Sequence, residues 1–369
     1  MKSKKVRFVR WRKNSVFLLS AWLLIAAAMP LHAQEKGRVV AEYVNRVNAS
    51  DTAYCPKPGI IIAGDSSRAR TFQTFSSKPD FGIAYAEMAN RYKRILGDGV
   101  RVYCTAIPTA VEFYCPDMAR PWTQSERTVI NRIFAHLSDS VEAVDMYTPL
   151  AAHVEENIYA RTDHHWLPLG AYYAAEAFAR VAGVPFHGLK NYKTQVLRNF
   201  VGSMYRYSGR VEVVKNHPED FIYYVPQNIL YQTDYVEYAL TRDRKGITGE
   251  TTAKGPFFKH YDDGSVMAYC TFMGGDNRLT HVSTATRNGR RLLILKDSFG
   301  NALPSYLFYG FEDIHVVDCR YFTQNIVDYV RRHAVTDVLF CNNVGHACLT
   351  VTTDAYEKYL TQAKKTDNE

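Results

Sequence analysis

Two stretches of the chain alternate between helical and strand periodicity, and this alternation constrains the fold more than any other feature. The pattern indicates helices at residues 81–96, 123–137, 168–183, 302–309, 323–333 and 356–364. It indicates buried strands at 100–107, 141–146, 291–295, 313–318 and 335–340. Strands that alternate with helices are typical of a parallel sheet covered on both faces. The sequence therefore predicts an α/β fold whose sheet is built from two separate stretches of chain.

The region between these stretches, residues 188–288, has a different character. It contains ten of the 26 tyrosines, several glycine-containing turns and no helical stripe. Short extended segments at 220–225, 231–240 and 265–272 indicate a β-rich, aromatic insertion. We expect residues 34–187 and 289–369 to form the two parts of the α/β domain. The tyrosines either line a sugar-binding groove or pack a small core, since their rings are apolar and their hydroxyls polar.

The first 33 residues have the composition of an export segment. Residues 1–14 carry seven Lys or Arg and no acid, and an apolar run from Val16 to Met29 follows. A basic start and a short apolar run ending near Ala33 are typical of a signal peptide. Because Leu31 is large for a cleavage site, residues 1–33 are predicted to be either a signal peptide or a membrane anchor.

The charge of the chain lies mainly in this leader. The whole sequence has 45 Lys and Arg against 37 Asp and Glu, and without the seven leader cations the count is 38 against 37. The remaining chain is nearly neutral, so no nucleic-acid partner is expected.

Seven cysteines follow the leader, in a chain predicted to reach an oxidising compartment. Their pairing cannot be deduced from spacing, and Cys104 and Cys341 lie in apolar strands, where buried thiols are common. No ligand spacing typical of zinc is present, and no metal or organic cofactor is expected.

A candidate nucleophile follows the first strand of the second stretch. Ser298 lies at a predicted strand-to-helix turn, with Gly300 two residues later. Such a turn directs backbone amides at developing negative charge, and Asn343, or Asn342, at the end of a neighbouring strand would add an oxyanion donor. The alternative is that Asp297-Ser298 only caps the following helix.

The partner for this serine is predicted in Arg161-Thr-Asp-His-His-Trp166. In an extended segment Asp163 and His165 point to one side, where the carboxylate would orient the imidazole as a general base, while His164 points away. That alternation argues against a metal held by all three. Arg161 and Trp166 are candidate substrate-binding residues. The alternative is a surface loop with two adjacent histidines.

A second serine, Ser66 in Gly64-Asp65-Ser66, follows an apolar strand at 59–62. No helical face follows it, so we interpret this segment as a hairpin turn and not as a nucleophile turn.

Three motifs carry a resemblance to a known family. Tyr159-Ala-Arg-Thr-Asp-His-His-Trp166, Leu295-Lys-Asp-Ser-Phe-Gly-Asn301 and Phe340-Cys-Asn-Asn343 resemble the DHHW protein family. That family is itself similar to the SGNH hydrolase-like domains of alginate O-acetyltransferases. The resemblance implies an SGNH-like α/β fold with permuted motif order, in which Ser298 is the nucleophile, His165 the base, Asp163 its orienter and Asn343 an oxyanion donor.

These features predict an exported, serine-dependent acyl-ester hydrolase or O-acyltransferase. The expected substrate is a cell-envelope or secreted polysaccharide in or beyond the periplasm. For a transferase, the resemblance also implies a membrane protein that delivers the acyl group. The alternative function is a non-catalytic envelope protein that binds glycan on the same scaffold.

Overall fold

The computed structural model describes residues 39–362 except Pro79 and 241–246, with side chains described outside 237–250. The predicted leader, 1–33, lies outside this range. The helices are α1 Phe81–Leu96, α2 Ala110–Tyr114, α3 Glu126–Ala135, α4 Tyr147–Ala152, α5 Pro168–Ala182, α6 Met204–Tyr207, α7 Glu212–Lys215, α8 Ile326–Arg332, α9 Val344–Ala347 and α10 Thr350–Thr361. The strands are β1 Ala53–Lys57, β2 Ile60–Ala63, β3 Arg70–Gln73, β4 Arg101–Ile107, β5 Val141–Ala143, β6 Tyr192–Phe200, β7 Glu219–Pro226, β8 Tyr231–Leu240, β9 Ile247–Lys254, β10 Leu279–Thr284, β11 Arg291–Lys296, β12 Asp313–Asp318 and β13 Asp337–Asn343.

One eight-stranded sheet forms the centre of the protein, in the order β5-β4-β13-β11-β12-β10-β8-β9. Neighbouring strands from β5 to β12 run parallel. The two predicted stretches of chain therefore contribute to one sheet, as the periodicity indicated. Because parallel strands end at the same edge, the carboxyl ends of β11 and β13 lie side by side.

Apolar side chains cover both faces of this sheet, which explains the unbroken apolar runs in its central strands. Phe340 on β13 contacts Tyr85 and Tyr92 of α1 edge to face. On the opposite face Tyr103 of β4 contacts Phe178 of α5, with ring centroids 5.3 Å apart. The sheet is therefore sandwiched between helices. Among the described helices, none combines the length and apolarity needed to cross a bilayer.

The remaining strands of the sheet run antiparallel, so the expectation of a parallel sheet is corrected to a mixed one. β10 pairs antiparallel with both β12 and β8, and β8 pairs antiparallel with β9. These three strands come from the region 188–288, which thus extends the main sheet as well as forming the separate two-stranded antiparallel sheet β6–β7. The strand expected at 265–272 is wrong, since a 3-10 helix occupies Ala268–Thr271.

The helix expected at 302–309 is also wrong. Two 3-10 helices occupy Ser298–Asn301 and Leu303–Tyr306. Pro304 has no amide hydrogen to donate within a longer α-helix. The helix expected at 123–137 is shorter, because Ser125 caps α3 while Thr123 accepts a hydrogen bond from the Phe75 amide.

A small antiparallel sheet, β1-β2-β3, packs beside the main one. The predicted hairpin turn is confirmed, because Gly64-Asp65-Ser66 lies between the paired strands β2 and β3. Strand β3 ends this sheet and pairs along one side with β2.

All seven cysteines lie in the described residues and carry free thiols, and those of Cys104 and Cys341 are fully buried. The interpretation of these two as buried thiols is therefore confirmed.

A row of three imidazoles lies between the sheet and α8. The rings of His281 and His315 stack with centroids 4.3 Å apart, and His333 lies 5.0 Å beyond His315. The central ring is 1 % exposed and bonds through Nδ1 to the Tyr329 hydroxyl. Burial, with the neighbouring His281 and His333, holds the pKa of His315 well below its usual value. This imidazole is therefore neutral in the folded protein.

We predict that this buried ring makes the protein less stable in acid. Once the pH falls below about 6.5, the unfolded state binds a proton at residue 315 that the folded state does not, so unfolding is favoured. Between about pH 7.5 and about pH 5.5 the free energy of unfolding should fall about 1 kcal/mol further in the wild type than in His315→Gln. Urea titrations at both pH values measure this difference. His260 is exposed, so the variant His260→Gln is the control and should show the same pH dependence of unfolding as the wild type. If His315→Gln also shows the pH dependence of the wild type, the prediction is wrong.

Candidate active site

Ser298 lies two residues after the end of β11 and opens a 3-10 helix. Asp297, the preceding residue, accepts a hydrogen bond from the Phe299 amide and so caps that turn, as predicted for the alternative role of this pair. Position 300 has room only for glycine, because a Cβ there would lie 2.5 Å from the Lys296 Cβ. The turn is therefore held tightly at the carboxyl edge of the sheet.

The imidazole of His165 joins this serine to Asp163. Its Nε2 lies 2.8 Å from the Ser298 Oγ, and its Nδ1 lies 2.6 Å from the Asp163 Oδ1. An ionised carboxylate only accepts hydrogen bonds, so the Nδ1–H donates to Asp163 and Nε2 accepts from the serine hydroxyl. The structure thus brings together all three residues predicted as catalytic.

Asp163 is buried yet surrounded by donors. Its carboxylate also accepts bonds from the backbone amides of His165 and Ser203, at 3.0 and 2.8 Å. Burial opposes ionisation, but His165, the nearby His164 and the Ser203 amide outweigh it and hold the pKa of Asp163 below its usual range. The carboxylate therefore remains charged and can stabilise a protonated His165.

The path of the motif segment differs from the extended one assumed above. Residues 161–165 form consecutive bends, and the rings of His164 and His165 lie on the same side with centroids 3.7 Å apart. The expectation that His164 points away is therefore wrong. Burial and the neighbouring His165 lower the pKa of His164 to about 4, so its ring is neutral. Its Nδ1 lies 2.6 Å from the Ser203 Oγ.

Asp163, His164 and His165 offer ligand atoms within 4.8 Å of one another, so the argument from alternating faces does not exclude a metal here. Both ring nitrogens of His165, however, already bond to Asp163 and Ser298. An ion at this group would have to break the bonds that connect the three predicted catalytic residues.

The two asparagines predicted as oxyanion donors have different surroundings. Asn343 lines the cleft beside Ser298, and its Nδ2 donates to Asp297 at 3.0 Å, which leaves its second amide hydrogen for the cleft. Asn342 is fully buried, and its side-chain oxygen accepts bonds from Tyr85 and Tyr356. The prediction for Asn342 is therefore wrong, because its buried side chain does not line the cleft.

Trp166 and Arg161 were predicted to bind substrate, and neither lines the cleft. Trp166 is fully buried and donates its indole N–H to the Tyr269 hydroxyl, so its prediction is wrong. The Arg161 guanidinium lies against Pro218 and Glu219. Both residues support the motif segment instead.

The region 188–288 supplies four residues of the site that the sequence did not reveal. Tyr269 stacks on the His165 ring with centroids 3.9 Å apart. Glu219 accepts bonds from the amides of Arg161 and Thr162 and from the Thr162 hydroxyl. Gly202 donates to that hydroxyl, and the Ser203 amide donates to Asp163. No local pattern marks these residues, because each acts through partners tens of positions away.

A cleft of about 450 Å³ opens at this site. Its lining includes Ser298, His164, Asn343, Arg320 and the segment 71–76. Arg320 is held by Asp318 and Asp276 at 2.7 Å. At the floor, burial and the nearby Glu112 raise the pKa of Glu126 to about 8, so this carboxyl is neutral at neutral pH.

The fold and this arrangement define an α/β protein in which Ser298, His165 and Asp163 are joined at the carboxyl edge of a mixed sheet, so the expected α/β class with flanking helices is confirmed. The chain belongs to the DHHW protein family, whose model matches residues 31–317. It is similar to a DHHW family protein from Eubacterium siraeum, with 33% identity over 88% of this chain and 100% of the other and a TM-score of 0.74. Bacillus cereus PatB1, described with a sulfonyl adduct, shares the fold at 16% identity over 85% of this chain and 99% of its own, with a TM-score of 0.61. Comparison with curated proteins found no match.

We predict that Gly202→Ala disrupts the site without unfolding the protein. The added Cβ would lie 2.3 Å from the Asp163 Cβ and 2.5 Å from its Oδ2, so the Asp163 side chain must shift from its present position against His165. A shift of this size should lower the reactivity of Ser298 toward a fluorophosphonate about 100-fold. Gly188→Ala is the matched control, since a Cβ there meets nothing within 4 Å and its φ is −65°. Wild-type labelling of a folded Gly202→Ala protein would contradict the prediction.

Proposed function

We propose that the protein is a serine-dependent acyl-transfer enzyme that acts on the ester groups of a glycan. The observation that carries the proposal is the unbroken chain of hydrogen bonds from Asp163 through His165 to Ser298, at the edge of an open cleft. Nucleophilic catalysis by serine needs a base within hydrogen-bond reach and a third group that orients this base. Ser298 would be the nucleophile, His165 the base and Asp163 the group that orients the base.

In the first half-reaction the Ser298 oxygen attacks the carbonyl carbon of an acyl ester. His165 Nε2 accepts the hydroxyl proton, and Asp163 stabilises the imidazolium that forms. The negative oxygen of the tetrahedral intermediate accepts bonds from the Ser298 amide and the remaining amide hydrogen of Asn343. Collapse of the intermediate expels the alcohol, which takes the proton from His165, and leaves an acyl-serine.

In the second half-reaction a hydroxyl group attacks the acyl-serine while His165 accepts its proton. Water as attacking group gives an esterase, and a sugar hydroxyl gives an O-acyltransferase. The Ser298 oxygen then regains the proton from His165. No metal or organic cofactor takes part in this scheme.

The compartment and partners belong to the same proposal. The basic and apolar segment 1–33 supports export, with the leader either cleaved or retained as an inner-membrane anchor. The substrate is then a cell-envelope or secreted polysaccharide. A transferase in this compartment needs a membrane protein that delivers the acyl group.

We predict that Ser298→Ala abolishes both covalent labelling by a fluorophosphonate and release of nitrophenol from nitrophenyl acetate. The loss should be at least about 1,000-fold in rate, because no other group replaces the nucleophile. Mass spectrometry of the labelled protein and absorbance of nitrophenol measure the two effects. Ser66→Ala is the control, since Ser66 is the exposed serine of the other Gly-Asp-Ser-like turn and should react as the wild type does.

Labelling that persists in Ser298→Ala would contradict the proposal. A wild-type protein that neither reacts with the fluorophosphonate nor hydrolyses the ester, yet binds oligosaccharide, would instead favour the non-catalytic glycan-binding function.

A further inference from the structure

We propose that His164 is a positioning residue for the base: with Tyr269 on the opposite face, it confines the His165 imidazole to the plane that joins Asp163 to Ser298. This inference rests on the proposed function, in which His165 accepts the proton of the serine. His164 has no part in the mechanism given above. Its ring is nonetheless the nearest to that of His165 among the described residues, with the centroids 3.7 Å apart.

The imidazole of His165 needs support on its two faces. The torsion that turns a histidine ring about its bond to Cβ has a broad energy profile, so the ring rotates easily unless its faces are packed. Such a rotation would carry Nε2 away from the Ser298 Oγ, which now lies 2.8 Å from it. Proton transfer needs the base within about 2.6–3.2 Å of the hydroxyl. Groups packed on the ring faces therefore keep the base within reach.

Tyr269 and His164 lie on opposite faces of the His165 ring. The Tyr269 ring stacks on it with centroids 3.9 Å apart and 8° between the planes, and for His164 the values are 3.7 Å and 39°. A separation this short is possible only over a ring face, since an edge approach places the centroids about 5 Å apart or more. Two such rings side by side on one face would overlap. The His165 ring is therefore enclosed between two aromatic rings.

The two covering rings occupy different surroundings. Tyr269 is buried, and its hydroxyl accepts a bond from the Trp166 indole N–H and donates to the Phe299 carbonyl, so the inner ring is fixed. His164 lines the cleft, and its side chain is 24 % exposed against 10 % for that of His165. His164 is therefore the covering ring on the cleft side.

Ser203 holds this outer ring in place. Its Oγ lies 2.6 Å from His164 Nδ1, and its amide donates to the Asp163 carboxylate at 2.8 Å. One residue thus bonds both to the ring that covers the base and to the carboxylate that orients the base. The His164 ring is neutral, so it adds no repulsion when His165 becomes positively charged. A positioning role requires only an uncharged ring at this place.

Two substitutions at position 164 separate the effect of the ring from that of its polar atoms. His164→Phe keeps an aromatic ring over His165 and has no hydrogen-bonding atom, whereas His164→Asn keeps a polar group and has no ring. We expect kcat/KM for nitrophenyl acetate to fall about 100-fold in His164→Asn, and His164→Phe to recover at least about 10-fold of this loss. A Phe variant as slow as the Asn variant, or an Asn variant as fast as the wild type, overturns the inference.

Ser203→Ala tests the support of the outer ring without a change at position 164, and it serves also if His164→Asn does not fold. The variant keeps the amide that donates to Asp163 and loses only the hydroxyl at His164. We expect kcat/KM to fall about 5-fold, the effect of one hydrogen bond. Added to His164→Phe, which has no such bond to lose, the same change should cost nothing further. A second loss of about 5-fold in the double variant counts against the inference.

Proton NMR distinguishes failure of this inference from failure of the proposed function. The proton between His165 Nδ1 and Asp163, 2.6 Å apart, should give a resonance far downfield that His165→Gln lacks. If the wild type leaves nitrophenyl acetate intact, the proposed function fails, yet this resonance still reports the position of the imidazole. It should persist in His164→Phe and broaden or vanish in a His164→Asn protein with the wild-type Tm. An unchanged resonance in His164→Asn overturns the inference.

Discussion

The carboxylate of Asp297 is the interaction on which the geometry of the site depends. It is fully buried between the ends of β11 and β13 and accepts bonds from the Phe299 amide, the Asn343 amide and the Asn343 side chain at 2.8 to 3.0 Å. A buried charge is tolerated only with such a full set of donors. Because these donors come from two strands, the same group fixes the turn that carries Ser298 and the position of Asn343.

A second set of polar contacts holds the other half of the site, and it comes from the region 188–288. Glu219 accepts hydrogen bonds from the backbone amides of Arg161 and Thr162. The Ser203 amide donates to Asp163, and the Tyr269 ring stacks on His165. The two halves meet at the bond between His165 Nε2 and Ser298 Oγ, and the Tyr269 hydroxyl also donates to the Phe299 carbonyl at 2.8 Å. The region 188–288 therefore orients His165 as well as extending the sheet.

Several ionisable groups in and below the cleft are either neutral or paired with an opposite charge. Glu126 is neutral at the floor and His164 is neutral beside the base, because burial disfavours their charged forms. The buried cation Lys296 bonds to Asp318 at 2.9 Å and lies 3.3 Å from Asp276, and both carboxylates also hold Arg320. With these charges paired, Asp163 remains the anion bonded to His165, and in the proposed mechanism it stabilises the positive charge that forms during proton transfer.

The sequence alone determined the α/β alternation, the position of Ser298 after a strand, the Asp163–His165 pair and the hairpin turn at 64–66. These features depend on local periodicity and on residue types at short spacing, which reflect burial and turn chemistry directly. Tertiary structure decided the antiparallel half of the sheet and the burial of Trp166 and Asn342. It also decided that His164 lies beside His165 and that Glu219 and Gly202 bond to the segment 161–162. The reason is that a hydrogen-bond partner far away along the chain leaves no periodic signal, so only the packed fold shows which polar groups it satisfies.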